Sequence, residues 1–219
     1  MSPTALRPTA ENVRTAARCV RDGGVVVAPS DTNMALTVGP DHPAAIDRVY
    51  DIKDRPRHKP LTLFVRDTTD WRRFGRHDDP AVVDALADAF WPGPLNLVLD
   101  RDDPDLDDRC CTDGTVSVGC LANPVWRRFA AAVGGPVAMT SANRSGTVPD
   151  DRLVDVDLAL DHVGDRVDHV LGGEPDGTTR ASTILSLSAG AAGEARILRQ
   201  GDLTASAIED AVPLAVHGV

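Results

Sequence analysis

Short apolar segments alternate with helix-like segments along the chain, and this alternation is the pattern that most constrains its fold. The first helix-like segment carries apolar residues at helical spacing from Val13 to Val20 and ends before Gly23. The apolar segment at 25–29, VVVAP, then predicts a buried strand. Strands that alternate with helices favour an α/β fold, in which helices flank a mixed sheet.

The alternation continues without interruption through the rest of the sequence. Further helices are predicted at 43–52, 80–91, 124–133 and 204–212, and further strands at 61–65, 92–100, 115–119, 136–143, 181–188 and 194–201. No internal repeat, low-complexity linker or composition break appears in the 219 residues, and 42% of them are hydrophobic, which is enough to bury a large core. We therefore predict a single domain over residues 1–219.

Charge and hydropathy restrict the kind of partner. The formal net charge is -10, so the chain as a whole repels a phosphate backbone, and direct binding to nucleic acid over a broad surface is not expected. A small anion held in one local pocket remains compatible with this charge. No segment approaches the roughly 20 apolar residues that span a bilayer, and the N-terminus lacks the apolar stretch of a secretion signal. We predict a cytoplasmic protein with no membrane partner.

The four cysteines, Cys19, Cys110, Cys111 and Cys120, show no CxxC pair and no matching histidine spacing. Reduced structural thiols are the interpretation that we favour. The alternative is a zinc site formed by Cys110, Cys111 and Cys120, although structural zinc usually takes four ligands at recognisable spacing.

Positive charge is concentrated in one loop by an unusual choice of residue. Among the 23 lysines and arginines only two are lysines, Lys53 and Lys59, and both lie in the segment 53–60, KDRPRHKP, together with Arg55. A compact ammonium and a planar guanidinium recognise anions differently, so this clustering indicates a site. The alternative is a solvated helix C-terminus, which favours cations. We expect Lys53 to be exposed and its removal to leave the stability nearly unchanged.

Small polar loops border the predicted strands, and the common phosphate-binding motifs GxxxxGK[ST] and GxGxxG are absent. These loops are PSDT at 29–32, TSANRSG at 140–146, STI at 182–184 and LRQG at 198–201, in addition to the cationic loop 53–60. A triphosphate that loses pyrophosphate requires Lys, Arg and usually Mg²⁺ close to its charge. Together the loops predict a nucleotide triphosphate site, in which hydroxyls and amides orient the ligand.

The motifs PSDT, KDRPRHKPL, FWPGPLNLVL, TSANRSG, STI and LRQG occur in the order of the YrdC-like family of threonylcarbamoyl-adenylate synthases, which the sequence resembles over nearly its whole length. The resemblance implies a single YrdC-like α/β domain, a twisted mixed sheet with flanking helices around a large concave cavity. It also implies a nucleotidyltransferase that uses ATP and Mg²⁺. L-threonine and bicarbonate give N-carboxythreonine, which attacks the α-phosphate and yields threonylcarbamoyl-AMP and pyrophosphate. Similar proteins pass this product to a separate transferase that modifies an adenosine in tRNA.

The resemblance further implies roles for individual residues. It assigns Lys53, Arg55 and Lys59 to catalysis at the phosphates and the substrate carboxylate, Thr32 and Ser182 to substrate binding, and Ser141, Asn143, Thr183 and Arg199 to the nucleotide. No catalytic base is needed, because a carbamate is already an anionic nucleophile that requires positioning. No residue is assigned as a metal ligand.

The sequence departs from the family pattern at the predicted pocket. Met34 and Ala35 replace an aromatic residue and a glycine, which reshapes the pocket wall. Asn96 replaces a threonine, which we interpret as a minor change. Gly119 lies where a cavity arginine is expected, and the loss of one charge-assisted contact weakens binding by about 1.5 to 3 kcal/mol.

Arg144 and Arg180 are the candidates to replace that charge. These departures leave two alternatives open. The first is a paralogue in a biosynthetic pathway that adenylates the carbamate of another amino acid or uses carbamoyl phosphate. The second, from a different class, is a non-catalytic module that binds nucleotide or RNA.

Overall fold

One mixed sheet forms the centre of the protein. The computed structural model describes residues 4–149, 152–173, 178–188 and 195–218. Twelve strands of this part of the chain belong to the sheet. They are β1 (Val26–Pro29), β2 (Met34–Val38), β3 (Thr62–Phe64), β4 (Gly75–Arg76), β5 (Leu95–Arg101), β6 (Cys111–Thr112), β7 (Thr115–Gly119), β8 (Val137–Ser141), β9 (His169–Val170), β10 (Thr183–Ser186), β11 (Ala195–Arg199) and β12 (Val216–His217).

The strand order mixes parallel and antiparallel neighbours. Across the sheet it runs β12-β11-β10-β5-β7-β3-β8-β2-β1-β9, while β4 pairs with β5 and β6 pairs with β7. The central strand β5 is parallel to β10 and antiparallel to β7, and β7 is parallel to β3. In this register Asn96 lies between Gly119 of β7 and Ile184 of β10.

Six helices flank the described sheet, and local sequence sets their ends. They are α1 (Ala10–Arg21), α2 (Pro43–Lys53), α3 (Pro80–Phe90), α4 (Pro124–Val133), α5 (Val156–Val163) and α6 (Ala205–Ala211). The side chain of Asn123 accepts hydrogen bonds from two backbone N–H groups at the start of α4, and Gly134 ends that helix with a φ of 80°. No described helix has the length and apolar character needed to span a bilayer.

The helices cover the two faces of the sheet unequally. On one face, α2, α3, α5 and α6 pack against a core that includes Leu36, Leu63 and Leu97. On the other face, α1 and α4 pack against a smaller core that includes Val26 and Met139. The second face is left open over β5, β7 and β10, where the alternate residues line a cavity. Because α1 and α4 leave this part of the second face uncovered, a ligand can reach the sheet there.

The structure confirms the predicted α/β class with a mixed sheet and flanking helices. The predicted helix between Val13 and Val20 is α1, and the segment 43–52 forms most of α2. Strand β2 and helix α5 were not predicted. All five residues of β2 are buried, so the strand lacks the alternation of apolar and polar residues that identifies a half-buried strand.

Candidate active site

A cavity of about 660 Å³ lies over the uncovered part of the sheet. It brings together residues from loops that are far apart in the sequence. Six of the predicted site residues line it: Thr32, Arg55, Lys59, Ser141, Ser182 and Arg199. The cationic loop, the PSDT loop, the SAN turn and the STI segment thus meet at one cavity.

The cationic loop is held in shape by its own backbone carbonyls. Arg55 donates from Nε to the carbonyl of Lys59 at 3.0 Å and from Nη2 to the carbonyl of Pro60 at 2.7 Å. Tyr50 donates from its hydroxyl to the same Lys59 carbonyl at 2.8 Å. Burial lowers the pKa of Arg55. These contacts hold a guanidinium at the cavity wall, and the exposed Lys59 side chain adds a second cation.

Lys53 is placed differently from the expectation. Its side chain is buried, with 1% of the residue exposed, and it does not line the cavity. Nζ donates to the carbonyls of Ser141 and Asn143, the latter at 2.6 Å, and lies 3.4 Å from Asn143 Oδ1. The prediction that Lys53 is exposed is therefore wrong, because the SAN turn folds over the end of α2 and encloses the ammonium.

Burial also changes the acidity of this ammonium. Desolvation, with a smaller contribution from the charge of Arg55, lowers the pKa of Lys53 to about 7. Lys53 therefore supports the SAN turn from beneath, and the cavity cations are Arg55, Lys59 and Arg199.

Two other predicted nucleotide residues lie behind the cavity wall. Asn143 is buried, and its Oδ1 accepts a 2.6 Å hydrogen bond from the hydroxyl of Ser141. Thr183 is fully buried and donates from Oγ1 to the carbonyl of Leu203 at 2.7 Å. It also accepts from the N–H of Gly201 at 3.0 Å. Both side chains hold the turns that present Ser141 and Ser182 to the cavity, and their contact with the nucleotide stays a prediction.

The PSDT loop is fixed by its neighbours. The hydroxyl of Ser30 accepts hydrogen bonds from the N–H groups of Thr32 and Asn33, at 3.2 and 2.9 Å. The buried carboxylate of Asp31 accepts from the backbone N–H of Asn123 at 2.7 Å and from that of Ala122 at 3.1 Å. This carboxylate ties the PSDT loop to the segment that precedes α4, and the tie sets the position of Thr32 at the cavity.

Further polar residues line the cavity to which the sequence analysis assigned no binding role. They are Ser30, Asn33, Asn96, Asp113, Thr62, Thr112, Thr115, Ser117, Thr140, Ser186 and Ser188. On the strands, several of them alternate with buried apolar residues, as in Thr115-Val-Ser117-Val-Gly119. This period of two could have identified the cavity-lining residues from the sequence, because it predicts a strand with one polar face.

The departures from the family pattern have unequal structural consequences. Met34 is fully buried in the core on the opposite face of the sheet, so only Ala35 contacts the cavity. The prediction that both residues reshape the wall is therefore wrong for Met34, and for Ala35 it stays a prediction. Neither Arg144 nor Arg180 lines the cavity, so neither supplies a cation in place of the guanidinium expected at Gly119.

The four cysteines belong to no candidate metal cluster among the described residues. All four are free thiols, and burial raises the pKa of Cys110 to about 12 and that of Cys120 to about 11. Within the described residues, no group of three His, Cys, Asp or Glu side chains is arranged to hold a metal ion. The zinc alternative therefore has no support from the described structure.

Comparison with known proteins identifies relatives in sequence that align over most of the chain. Threonylcarbamoyl-AMP synthase from Halorhodospira halophila is 30% identical over 193 residues, which cover 86% of this chain and 96% of that protein. Threonylcarbamoyl-AMP synthase from Vibrio parahaemolyticus is 27% identical over 195 residues, which cover 87% of this chain and 100% of that protein. Both alignments include nearly all of the relative.

Solved structures resemble the fold closely. Sua5 from P. abyssi, crystallised with L-threonine, superposes with a TM-score of 0.84 at 25% identity. The match covers 97% of this chain, which spans 62% of the Sua5 chain. E. coli YciO shares the fold with a TM-score of 0.76 at 21% identity, over 92% of this chain and 98% of that chain.

A family model places these similarities in one group. The Sua5/YciO/YrdC model, described as "Telomere recombination", matches residues 18–201. That range contains all the motifs that carried the resemblance, from PSDT to LRQG. The chain belongs to the Sua5/YciO/YrdC family.

Proposed function

We propose that this protein is a threonylcarbamoyl-AMP synthase, which converts L-threonine, bicarbonate and ATP into threonylcarbamoyl-AMP and pyrophosphate. The observation that supports this most strongly is the convergence of Thr32, Arg55, Lys59, Ser141, Ser182 and Arg199 on one cavity. The names of relatives that align over nearly their full length agree with it.

The reaction needs positive charge in the cavity, although the protein as a whole carries a net negative charge. The amine of threonine and bicarbonate condense to a carbamate with release of water, and one carbamate oxygen attacks the α-phosphorus of ATP. A new P–O bond forms while the bond to the β-phosphate oxygen breaks, and pyrophosphate leaves with the released electron pair. Arg55 and Lys59 stabilise the negative charge that accumulates on the phosphates. Since the carbamate is an anion, positioning replaces general-base catalysis.

Neutral groups and the third cation orient the ligands. Arg199 is positioned by a 2.9 Å hydrogen bond from Nε to the carbonyl of Ser182, which places its guanidinium beside the STI segment. Ser141 and Ser182 present hydroxyls to the nucleotide and substrate, and Thr32 contributes to the amino-acid side. Lys53 holds the SAN turn that carries Ser141.

Magnesium enters as part of the MgATP substrate. The cavity lining contains a single carboxylate, that of Asp113, among its described residues. Mg²⁺ in such sites keeps several waters and binds substrate phosphates together with one or two carboxylates. This donor set fits a metal carried by the phosphates better than one held in a cage of protein ligands.

The product is a reactive mixed anhydride, so a second protein must accept it. We propose that a separate transferase in the cytoplasm passes the threonylcarbamoyl group to an adenosine in tRNA. The net charge of -10 supports recognition of the small-molecule product by that transferase over direct RNA binding by this chain.

A variant of this function is favoured by one observation. Gly119 leaves the cavity without a guanidinium at that position, and neither Arg144 nor Arg180 replaces it. A paralogue that adenylates the carbamate of another amino acid, or uses carbamoyl phosphate, is therefore the second candidate.

The test is a turnover assay with purified protein, MgATP, bicarbonate and each amino acid in turn. Pyrophosphate release and the adenylate mass are followed together. We expect both to require threonine and bicarbonate. The variant Lys59→Ala should lose most activity, while Arg57→Ala, whose guanidinium pairs with Asp47 at 2.6 Å outside the cavity, should retain it. Dependence on another amine would support the paralogue, and nucleotide binding without turnover would indicate a binding module.

A further inference from the structure

The cavity wall contains a buried amide whose oxygen has no partner. Asn96 is 5% exposed and lines the cavity on the central strand β5. Its Oδ1 is one of two buried side-chain polar atoms without a hydrogen bond among the described residues, the other being Trp126 Nε1. Trp126 belongs to α4 and is fully buried in the core, so of the two only Asn96 places such a group at the cavity.

A buried amide oxygen without a partner is unfavourable for folding. Leaving a buried acceptor unsatisfied typically destabilises a protein by about 1 to 3 kcal/mol, and an apolar side chain of the same shape avoids that loss. Buried polar groups in folded proteins are nearly always paired, and Asn96 is an exception in the wall of a ligand cavity, which suits a side chain whose partner is a ligand. The structural role of Asn96 in the sheet needs only its backbone.

Gly119 makes the position of this amide possible. A Cβ at residue 119 would lie 2.6 Å from Asn96 Oδ1 and 2.7 Å from Cε1 of Phe64. Both distances are shorter than any ordinary contact, so a side chain at residue 119 would displace the amide or the ring. Gly119 pairs with Asn96 in the register of β5 and β7, so a side chain at residue 119 would change the position of the Asn96 amide.

The residues directly beside Asn96 are uncharged, and its own amide is neutral. Its neighbours across the sheet are Gly119 and Ile184, and Phe64 packs beside it. Among the cavity cations, Arg55 and Lys59 belong to the loop before β3, and Arg199 lies one strand beyond Ile184 in the register of β10 and β11. An amide carries both a donor and an acceptor, and a half-turn about its terminal bond exchanges them.

We propose that the Asn96 amide is a specificity-determining group, which hydrogen-bonds a neutral donor–acceptor group of the substrate from the position that the missing side chain of Gly119 allows it to occupy. The proposal rests on the proposed function, because that function defines which ligands enter the cavity. Two sources carry the required chemistry. One is the side-chain hydroxyl of the amino acid, and the other is the edge of adenine, which presents an amino donor next to a ring-nitrogen acceptor.

The test compares the wild type with Asn96→Leu, which keeps the shape and removes the amide. Isothermal titration measures the affinities for L-threonine and L-valine, and for MgATP and MgGTP. If the amino acid is the partner, Asn96→Leu weakens threonine binding about tenfold and loses the preference over valine, which has the same shape without the hydroxyl. If adenine is the partner, the same loss appears for MgATP against MgGTP.

A stability measurement separates this role from a structural one. The unliganded Asn96→Leu protein should melt at the same temperature as the wild type or higher, because an unsatisfied amide has been removed. Gly119→Ala keeps the amide but displaces it, so it should reproduce the loss of affinity. Unchanged affinities for all four ligands in Asn96→Leu would overturn the inference and leave the proposed function standing. A wild-type protein that binds neither threonine nor MgATP would overturn both.

Discussion

The two lysines of the cationic loop have opposite environments. Lys59 is exposed at the cavity, whereas Lys53 is enclosed by the SAN turn, which lies 88 residues further along the chain. A compact ammonium has three donors, and those of Lys53 meet two carbonyls and lie near Asn143 Oδ1. A planar guanidinium would not fit the same three directions. The sequence indicated that the two lysines belong to a site. It could not show that one is buried and the other exposed, because the turn that buries Lys53 is distant in the sequence.

Replacing Lys53 by Ala should therefore destabilise the protein, unlike replacement of an exposed cation of the same loop. Removing the buried side chain leaves two carbonyls without a donor and opens a void, so the free energy of unfolding should fall by about 2 to 4 kcal/mol. Arg57→Ala is the matched control, because its exposed ion pairs contribute about 0 to 1 kcal/mol. Urea denaturation measures both. Equal effects of the two substitutions would contradict the burial of Lys53.

The depressed pKa of Lys53 gives a pH dependence with a definite sign. Its pKa is about 7 in the folded protein against 10.5 for an unperturbed lysine, so the unfolded chain binds more protons between these values. The contribution of Lys53 to stability should rise with pH in that window, approaching about 1.4 kcal/mol per pH unit. The free energy of unfolding of the wild type, minus that of Lys53→Met, should therefore increase from pH 7 to pH 9. A constant difference would mean that the ammonium stays charged.

At the scale of elements, the cavity depends on loops that are tied to each other. The PSDT loop connects β1 and β2, and the segment after β7 leads into α4. The carboxylate of Asp31 joins them through the N–H groups of Ala122 and Asn123. The carbonyl of Asp31 also accepts a 2.7 Å hydrogen bond from the hydroxyl of Thr178. The loop that carries Thr32 is thus fixed from two sides.

Asp31→Asn should weaken this tie. The amide has one acceptor oxygen in place of two and no charge, so at least one charge-assisted hydrogen bond is lost and the free energy of unfolding should fall by about 1.5 to 3 kcal/mol. Threonine affinity should fall as well, because Thr32 moves with the loop. The control is Asp88→Asn on the exposed side of α3, which should change neither quantity. Chemical denaturation and isothermal titration give the two values, and an unaffected stability in Asp31→Asn would refute the tie.

Elements with a clear period were predicted well, and those without one were not. Helix α1 shows four buried residues at helical spacing, and α4 begins with proline after an asparagine cap. Strand β2 is buried on both faces, and α5 has only eight residues, so neither presents a long periodic pattern. Asn96 looked like a minor change because its significance lies in a missing partner, which only the packed structure shows.

At the scale of the whole molecule, negative surface charge surrounds a positive cavity. The chain carries a net charge of -10, yet the charged residues that line the described cavity are Arg55, Lys59 and Arg199 and one carboxylate, that of Asp113. Such an arrangement repels polyanions over the broad surface while it concentrates a small anion in the cavity. The predicted family and its fold are confirmed, and this charge distribution is consistent with the prediction of a local anion site.

MgATP should stabilise the folded protein through this cavity, and the effect should depend on Lys59. A ligand that binds only the folded state at 100 times its dissociation constant adds about 2.7 kcal/mol to the free energy of unfolding, which raises the melting temperature by several degrees. Lys59→Gln removes an exposed cation, so the unliganded melting temperature should stay within about a degree of the wild type. The rise produced by MgATP should nevertheless shrink, because the phosphates lose a cation. Scanning calorimetry with and without MgATP measures both effects, and an equal rise in the two proteins would show that Lys59 does not meet the phosphates.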